Sequence, residues 1–412
     1  MINRRNFLQI STLAGLSAYG LNTEAGEANN EKAVIYIFLS GGISHFESFN
    51  ITANAMTRPD VYRPQSDIMS DSQTGITLPT YWNGLYRNRD NISLIQSFGH
   101  KDSSHRQSTH YVNTGHYNKN RIVSAEPEVP GHGAVVSNVL GTNNPVNGMP
   151  SYIAHSKIEG NQPTFLGSAY KPFDPSNKDN LKLRIEGSRF DSRRDLLSDL
   201  DKIEFKNPNI DVLDDYRDQA FQTIQGNVVD YFDIQKESEK TRQRYGSSSF
   251  AKQLLVSRRL VEGGAKFITA TIGGWDMHSN IKAGMASKVP PVDQAISALI
   301  EDLHERGMSK DVMVVVTSEF GRTRFNANQG RDHWGKLTTL MLSGGDYGSG
   351  RTVGEMDKYG YVPEGTLYGP MDLQRTIFEH MQIPLDLQRI DNQGRPRYLF
   401  DDGGQETRNI LA

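Results

Sequence analysis

Short apolar runs that end in polar, glycine-containing loops are the feature of this sequence that most restricts its fold. Three of them, at 33–39, 266–272 and 312–316, consist largely of β-branched and other apolar residues. Such runs are typical of strands buried on both faces of a parallel sheet. Helical patterns separate them along the chain. We therefore predict an α/β fold with a mostly parallel central sheet flanked by helices.

The same patterns predict the other elements. Further strands are expected at 91–97, 151–154 and 337–342. Helices are expected at 105–113, 131–140, 292–306 and 371–381, and the segment 211–263 is helix-rich. Residues 160–208 are rich in Pro, Asn, Asp and Lys, and we expect them to form a polar excursion from the core.

The composition excludes several classes of function. The 412 residues carry a net charge of −3 and no long basic block, which argues against a nucleic-acid groove or binding to an anionic membrane. The chain has no cysteine, so disulfides, thiolate nucleophiles and thiolate-bound metals are excluded. Beyond the N-terminus, no apolar run is long enough to span a bilayer.

The N-terminus has the pattern of a targeting segment. Arg4 and Arg5 precede a weakly apolar stretch rich in Ala, Gly and Ser. This order predicts a twin-arginine signal peptide at 1–28 and export to the periplasm or beyond. Residues 32–405 would then form a single domain. A chance arginine pair before a short amphipathic helix is the alternative.

Known nucleotide-binding and hydrolase signatures are missing from the sequence. No glycine-rich loop is followed by Lys-Ser/Thr, and no dinucleotide fingerprint follows the first strand. A Gly-x-Ser-x-Gly elbow, typical of α/β-hydrolases, is also missing. Because open α/β sheets bind ligands beyond the carboxyl ends of their strands, the loops that follow the strands are the candidate site.

The first two of these loops are rich in histidine. His45 and Glu47 follow Ser40-Gly41-Gly42, where glycines let the backbone approach a ligand. His105 and Arg106 fall in the first turn of the helix at 105–113, where backbone N–H groups attract an anion. His110 lies further along that helix. Solvated turns, helix capping and surface histidines are the alternative explanation.

The other two loops combine carboxylates, imidazoles and guanidinium groups. Asp276 and His278 follow the strand at 266–272. The strand at 312–316 leads into a stretch that contains Glu319, Arg322, Arg331, Asp332 and His333. Carboxylate and imidazole suit a divalent ion such as Zn²⁺, Ca²⁺ or Mn²⁺, and guanidinium suits phosphate or sulfate. A polar loop stapled by ion pairs is the alternative.

The motifs, taken in order, resemble a known family. FLSGGISHFESF at 38–49, GGWDMHSN at 273–280, TSEFGRT at 317–323 and GRDHWG at 330–335 are similar to the secreted family numbered 1501 among the domains of unknown function. That family is grouped with the alkaline phosphatase and sulfatase superfamily. The resemblance covers residues 32–402 and implies an alkaline phosphatase-like three-layer sandwich. It also implies hydrolysis of phosphate or sulfate esters, usually with two metal ions.

The positions that the resemblance assigns to ligands are only partly retained. Ser40 stands where the superfamily has a ligand Asp, and Phe320 stands where it has a ligand His. One metal site would therefore be lost, or rebuilt with Glu47. His105 stands at the nucleophile position, as a nucleophile, a general acid or a ligand. The resemblance implies that the remaining metal ligands are Asp276, His278 and His333.

These inferences predict an exported hydrolase of sulfate or phosphate esters, with a sulfated or phosphorylated carbohydrate as a candidate substrate. One divalent ion, or none, would be bound. Arg106 and Arg322 would clamp the anion, and Glu319 and Asp332 would assist proton transfer. The residues expected to line the substrate pocket are His45, Glu47, His110 and Arg331. An exported protein that binds an anion or glycan without catalysis is the alternative.

Overall fold

The computed structural model describes residues 31–52, 66–117, 129–176, 228–391, 393–401 and 406–411. The predicted signal peptide at 1–28 and the part of the polar excursion at 177–208 lie outside the described residues. Residues Lys32–Ala412 group into one compact unit. Within the described part of the chain, no helix is both long and apolar enough to cross a membrane.

The strands confirm most of the predicted positions, within a few residues. In chain order they are β1 Ala33–Leu39, β2 Ile68–Ser70, β3 Thr77–Pro79, β4 Ile92–Ile95, β5 Tyr152–Ala154, β6 Phe267–Ile272, β7 Val312–Thr317, β8 Gly321–Phe325, β9 Arg331–Trp334, β10 Leu340–Ser343, β11 Arg351–Val353, β12 Glu355–Met356, β13 Pro363–Glu364, β14 Gln388–Ile390 and β15 Pro396–Tyr398.

The helices flank these strands. They are α1 Asn83–Arg87, α2 His105–Thr114, α3 His132–Leu140, α4 Val229–Phe232, α5 Glu239–Tyr245, α6 Ser249–Glu262, α7 Ile281–Glu305 and α8 Pro370–His380. Short 3-10 turns lie at His45–Glu47, Thr80–Trp82, Arg89–Asn91, Thr164–Leu166, Ser168–Tyr170 and Ile234–Lys236.

A seven-stranded sheet forms the centre of the molecule, in the order β11-β4-β10-β7-β1-β6-β5. Strand β1 pairs in parallel with β6 and β7, and only β10 runs antiparallel to its neighbours. The predicted fold class, a mostly parallel sheet flanked by helices, is confirmed by this topology.

The core has two halves because alternate side chains of β1 point to opposite faces of the sheet. Ile35 and Ile37 pack on one face with residues of α6 and α7. Tyr36 and Phe38 pack on the other with residues of α3 and α8. The result is a three-layer sandwich of helices, sheet and helices.

Helix α7 begins eleven residues before the predicted start at 292, at Ile281. The predicted start followed Pro290 and Pro291, which lack the N–H that a helix interior requires. The first half of α7 nevertheless buries Met285 and Val289 against the core, and this packing supports the helix on both sides of the prolines.

Candidate functional site

Four polar loops emerge at one edge of the sheet, as predicted. Leu39 lies opposite Ile272, and Phe38 lies opposite Thr317, so β1, β6 and β7 end together. The β1 and β6 loops approach closely at Gly41, whose φ is +117°. A Cβ atom at Gly41 would lie 2.8 Å from the backbone nitrogen of Asp276, which explains why glycine is needed there.

Asp276 lies at the centre of a group of three histidines contributed by separate loops. Its Oδ1 atom is 3.0 Å from Nε2 of both His278 and His333. Its Oδ2 atom is 3.4 Å from Nε2 of His105, the first residue of α2. The side chains of Asp276 and His278 are 44% and 45% exposed, so the group is open to solvent.

Each of these imidazoles has an acceptor at its other nitrogen. His105 donates from Nδ1 to Oε1 of Glu319 at 2.8 Å, and Glu319 is only 1% exposed. His278 donates from Nδ1 to Oδ1 of Asp332 at 2.8 Å. His333 donates from Nδ1 to the carbonyl oxygen of Ser103 at 3.0 Å. Ionised carboxylates and carbonyls only accept hydrogen bonds, so Nδ1 carries the hydrogen in all three rings.

A neutral imidazole that is protonated at Nδ1 has a lone pair at Nε2. The Nε2 atoms of His278 and His333 are only 3.1 Å apart, and both face Asp276. When the rings are neutral, these lone pairs face one carboxylate oxygen, and a proton or a metal cation between them relieves the repulsion. Ligand atoms of His105, Asp276 and His333 all lie within 4.8 Å of one another, so the donor set fits a divalent metal ion.

The pKa shifts follow from the same contacts. Burial alone would raise the pKa of Asp276, but the buried Arg322 guanidinium outweighs it and holds that pKa well below its usual value. The hydrogen bond with Glu319 raises the pKa of His105. The hydrogen bond from His278 lowers the pKa of Asp332. Both carboxylates are therefore ionised near neutral pH and available as an acceptor or a ligand.

Arg322 was predicted to clamp an anion, and the structure corrects this. Its side chain is fully buried, with Nε donating to the Gly42 carbonyl at 2.6 Å and Nη1 donating to the Arg331 carbonyl at 3.0 Å. Nη2 donates to Asp276 and to the Gly41 carbonyl. Because its side chain is buried and most of its N–H groups donate to backbone carbonyls and Asp276, Arg322 holds Asp276 in place and does not face a substrate.

His45, Glu47 and Arg331 were predicted to line the pocket, but all three side chains are fully buried. Oε1 of Glu47 accepts from Nη2 of Arg331 at 2.9 Å, so this buried carboxylate pairs with Arg331 and does not line an open pocket. His45 accepts from the Arg322 N–H at Nδ1 and donates to the Gly360 carbonyl at Nε2. Burial lowers the pKa of His45 to about 3, which keeps it neutral.

The prediction for His110 on α2 is also corrected. His110 is 2% exposed and donates from Nδ1 to the His116 carbonyl at 3.0 Å, so it does not face a substrate. Arg106 lies in the first turn, as predicted, and its Nε atom is 3.5 Å from Glu159, so its role as an anion clamp stays a prediction.

Two contributors to the site were not predicted. The carbonyl of Ser103 orients His333, and backbone carbonyls leave no trace in a sequence pattern. Phe320 was recognised only as a lost ligand, yet its buried ring packs against His105 and His333 at centroid distances of 4.9 and 4.4 Å. The sequence showed that Phe stands where the superfamily has His, but it did not show that this ring packs against His105 and His333.

Comparisons with known proteins place the chain in a family. The family described as "Protein of unknown function (DUF1501)" matches residues 31–411. No curated protein matches the chain.

Solved structures show a distant likeness over most of the chain. A sulfatase from Pseudoalteromonas sp. is 10% identical, with 94% of this chain and 73% of that chain covered and a TM-score of 0.39. The lipoteichoic acid synthase LtaP from Listeria monocytogenes is 10% identical, with coverage of 96% and 80% and a TM-score of 0.38. A phosphonate monoester hydrolase from Silicibacter pomeroyi is 11% identical, with coverage of 86% and 74% and a TM-score of 0.37. Because these TM-scores are low, the fold class is assigned from the strand order of the central sheet.

Proposed function

The chain belongs to the DUF1501 family, and from this premise we propose that it is an exported hydrolase of sulfate or phosphate esters that uses a divalent metal ion. The convergence of three imidazole Nε2 atoms on the Asp276 carboxylate is the observation that carries the proposal. A group of ionisable side chains with unmatched acceptors, open to solvent at the carboxyl edge of a parallel sheet, is typical of an active site.

Three residues would hold the ion, namely His105, Asp276 and His333. A bound divalent ion supplies positive charge for the ester oxygens and lowers the pKa of water. His105 fits the role of ligand better than that of nucleophile, because its free Nε2 atom faces Asp276 at 3.4 Å. Arg322 orients Asp276, and Phe320 excludes water from one side of the two rings.

The charges of the site favour a sulfate ester over a phosphate monoester. Asp276, Glu319 and Asp332 supply three negative charges, and Arg322 supplies one positive charge, which leaves −2 if the imidazoles are neutral. One divalent ion would bring this total to about zero. The three carboxylates of such a site would repel a singly charged sulfate ester less than a doubly charged phosphate monoester.

The test is elemental analysis of the mature protein together with turnover of an aryl sulfate, an aryl phosphate and a sulfated saccharide. We expect one divalent ion per chain, turnover of the sulfate ester, and loss of both in His105→Ala. His304→Ala is the matched control, because His304 is an exposed histidine near the end of α7. Ester binding without turnover in the metal-loaded protein would favour the non-catalytic binding protein instead.

We also propose export through the twin-arginine route, which the sequence pattern at Arg4 and Arg5 supports. The test is cell fractionation of the full chain. The double variant Arg4→Lys, Arg5→Lys should stay in the cytoplasm, while the unchanged chain reaches the periplasm or the medium. Equal distribution of the two proteins would contradict this route.

A further inference from the structure

We infer that Glu319 and Asp332 are positioning residues that fix His105 and His278 as Nε2 ligands of the ion. The site would then offer three imidazole nitrogens and one carboxylate to a single metal ion. This inference rests on the metal ion of the proposed function. It goes beyond that function by giving Glu319 and Asp332 a positioning role and by selecting a class of ion, with His278, a ligand that the family resemblance implies, completing the ligand set.

The argument starts from the fixed tautomers. An ionised carboxylate can only accept a hydrogen bond, so a carboxylate at Nδ1 forces the hydrogen onto that nitrogen and leaves Nε2 free to bind a metal. Metal-binding histidines commonly donate their other N–H group to a carboxylate or a carbonyl, which orients the ring and makes it more basic. His105 and His278 have this arrangement with Glu319 and Asp332.

The two carboxylates are themselves held in place. Oε1 of Glu319 also accepts from the Gly41 N–H at 2.8 Å, and Oε2 lies 3.1 Å from the Ser318 hydroxyl. Asp332 is exposed, but its Oδ1 also accepts from Nδ2 of Asn326 at 3.2 Å. Asn326 donates to the carbonyl of His278 as well, at 3.0 Å. Each carboxylate is therefore tied to the loop that carries its histidine or to a neighbouring loop.

His278 is the fourth ligand on geometric grounds. Its Nε2 atom is 3.0 Å from Oδ1 of Asp276 and 3.1 Å from Nε2 of His333, so it faces the same carboxylate oxygen as the His333 ring. Calcium and magnesium ions prefer oxygen ligands, whereas zinc and cobalt ions bind imidazole nitrogen well. A set of three nitrogens and one carboxylate therefore selects an ion such as Zn²⁺ or Co²⁺ over Ca²⁺.

The experiment measures ion binding directly, so it does not depend on turnover. The mature protein is stripped with a chelator and titrated with Zn²⁺, Co²⁺ and Ca²⁺ against a chromophoric competitor, and the visible spectrum of the Co²⁺ form is recorded. We expect one Zn²⁺ or Co²⁺ ion per chain and no comparable binding of Ca²⁺. Asp332→Asn and Glu319→Gln should each weaken Zn²⁺ binding by about 10–100-fold and shift the Co²⁺ spectrum.

Two further variants make the result specific. His278→Ala should weaken Zn²⁺ binding and change the Co²⁺ spectrum, as expected of a lost ligand. Asp386→Asn removes the same charge from an exposed position and should leave binding and spectrum unchanged. Because Glu319 is buried, Glu319→Gln can fail to fold, and the exposed Asp332→Asn then decides the positioning role on its own.

The inference is overturned by wild-type affinity and spectrum in Asp332→Asn and His278→Ala, by a preference for Ca²⁺, or by the lack of any bound ion. In the last case the Nε2 atoms share protons instead of a metal. Zn²⁺ binding without ester turnover would contradict the proposed function and leave the ligand set intact. Ester turnover together with unchanged Zn²⁺ binding in Asp332→Asn would contradict the positioning role and leave the proposed function intact.

Discussion

Two groups of ionisable side chains in this molecule are equally crowded but differ in how their charges are matched. The edge cluster comprises His105, Asp276, His278, Glu319, Arg322, Asp332 and His333. The helix network joins α5, α6 and α7 with the turn before α5 and the residue after α7. It comprises Glu237, Arg244, Arg258, Arg259, Glu262, Asp302, Glu305 and Arg306.

Charges in the helix network balance, with four guanidinium groups and four carboxylates. Arg258 is fully buried and pairs with Glu237, Glu262 and Asp302. Arg306 donates from Nε to Asp302 at 2.8 Å and from Nη1 to Glu262 at 2.9 Å. Opposite charges meet throughout, so the network needs no further group to be stable, and we read it as structural.

The edge cluster lacks this balance, because it has one guanidinium group for three carboxylates, and three imidazole Nε2 atoms converge on Asp276. Crowding of charged residues therefore does not identify a functional site by itself. Mismatch between donors and acceptors does, since a mismatch is retained only where something else supplies the missing partner. Four variants or conditions sharpen this difference.

The largest effect is expected from Asp276→Asn in the edge cluster. The amide keeps the shape but loses the central negative charge, so metal affinity should fall by more than the roughly 10–100-fold expected of a positioning residue. Stability of the metal-free protein should not fall by a comparable amount, because Asp276 is 44% exposed. Chelator competition measures the affinity, and urea unfolding measures the stability. Unchanged affinity would place the ion elsewhere.

Arg258→Met should show the reverse pattern. It leaves Glu237 and Asp302 without their buried partner, and losing one member of a buried pair costs about 3–5 kcal/mol of unfolding free energy. Zn²⁺ affinity of the folded fraction should stay at the wild-type value. Urea unfolding at neutral pH checks the first result, and the same chelator competition checks the second. A loss below about 1 kcal/mol would mean that solvent already screens the network.

The contrast also shows what the sequence could predict. Strand β7 and its neighbours were identified from apolar runs alone, because burial on both faces leaves a direct signature in the residues. The meeting of four loops at one edge followed from the shared direction of β1, β4, β6 and β7. The same reasoning predicted that these loops bring together one carboxylate and two imidazole side chains, those of Asp276, His278 and His333.

The sequence did not distinguish an arginine that binds a substrate anion from a buried arginine that supports the loops of the protein. Arg322 and Arg331 follow the same strand as His333, and their residue type suits an anion, but both are enclosed by backbone carbonyls or by Glu47. The polar stretch 321–334 folds into the β8–β9 hairpin, which turns Arg331 inward and Asp332 outward. Which side chains of a short, irregular hairpin point inward depends on the pairing register of its strands. The sequence does not show that register, so the burial of these arginines was not predicted.

Acid should weaken the helix network. Burial alone would raise the pKa values of Glu237 and Asp302, but their arginine partners outweigh it and hold both pKa values below the ordinary 4.5 and 3.8. A carboxylate with a lowered pKa in the folded state contributes stability above its unfolded pKa. That stability is lost as the pH falls through the folded value.

Unfolding free energy should therefore be steady near neutral pH and decline once the pH falls below about 4.5. The measurement is urea unfolding at several pH values, for the wild type and for Arg258→Met. Other carboxylates titrate in the same range, so the difference between the two proteins isolates the network. That difference should shrink as the pH falls. A constant difference between the two proteins would show that Arg258 does not stabilise the ionised carboxylates.

The smallest effect is expected at the rim of the helix network. Glu305 accepts from Nη1 of Arg244 at 2.7 Å, but its side chain is 64% exposed. Exposed pairs are screened by water and contribute about 0–1 kcal/mol, so Glu305→Gln should change the unfolding free energy by less than about 1 kcal/mol. Arg244 retains Asp302 as a partner at 3.0 Å. A loss near that of Arg258→Met would show that the network acts as one cooperative unit, and then its centre and its rim could not be treated separately.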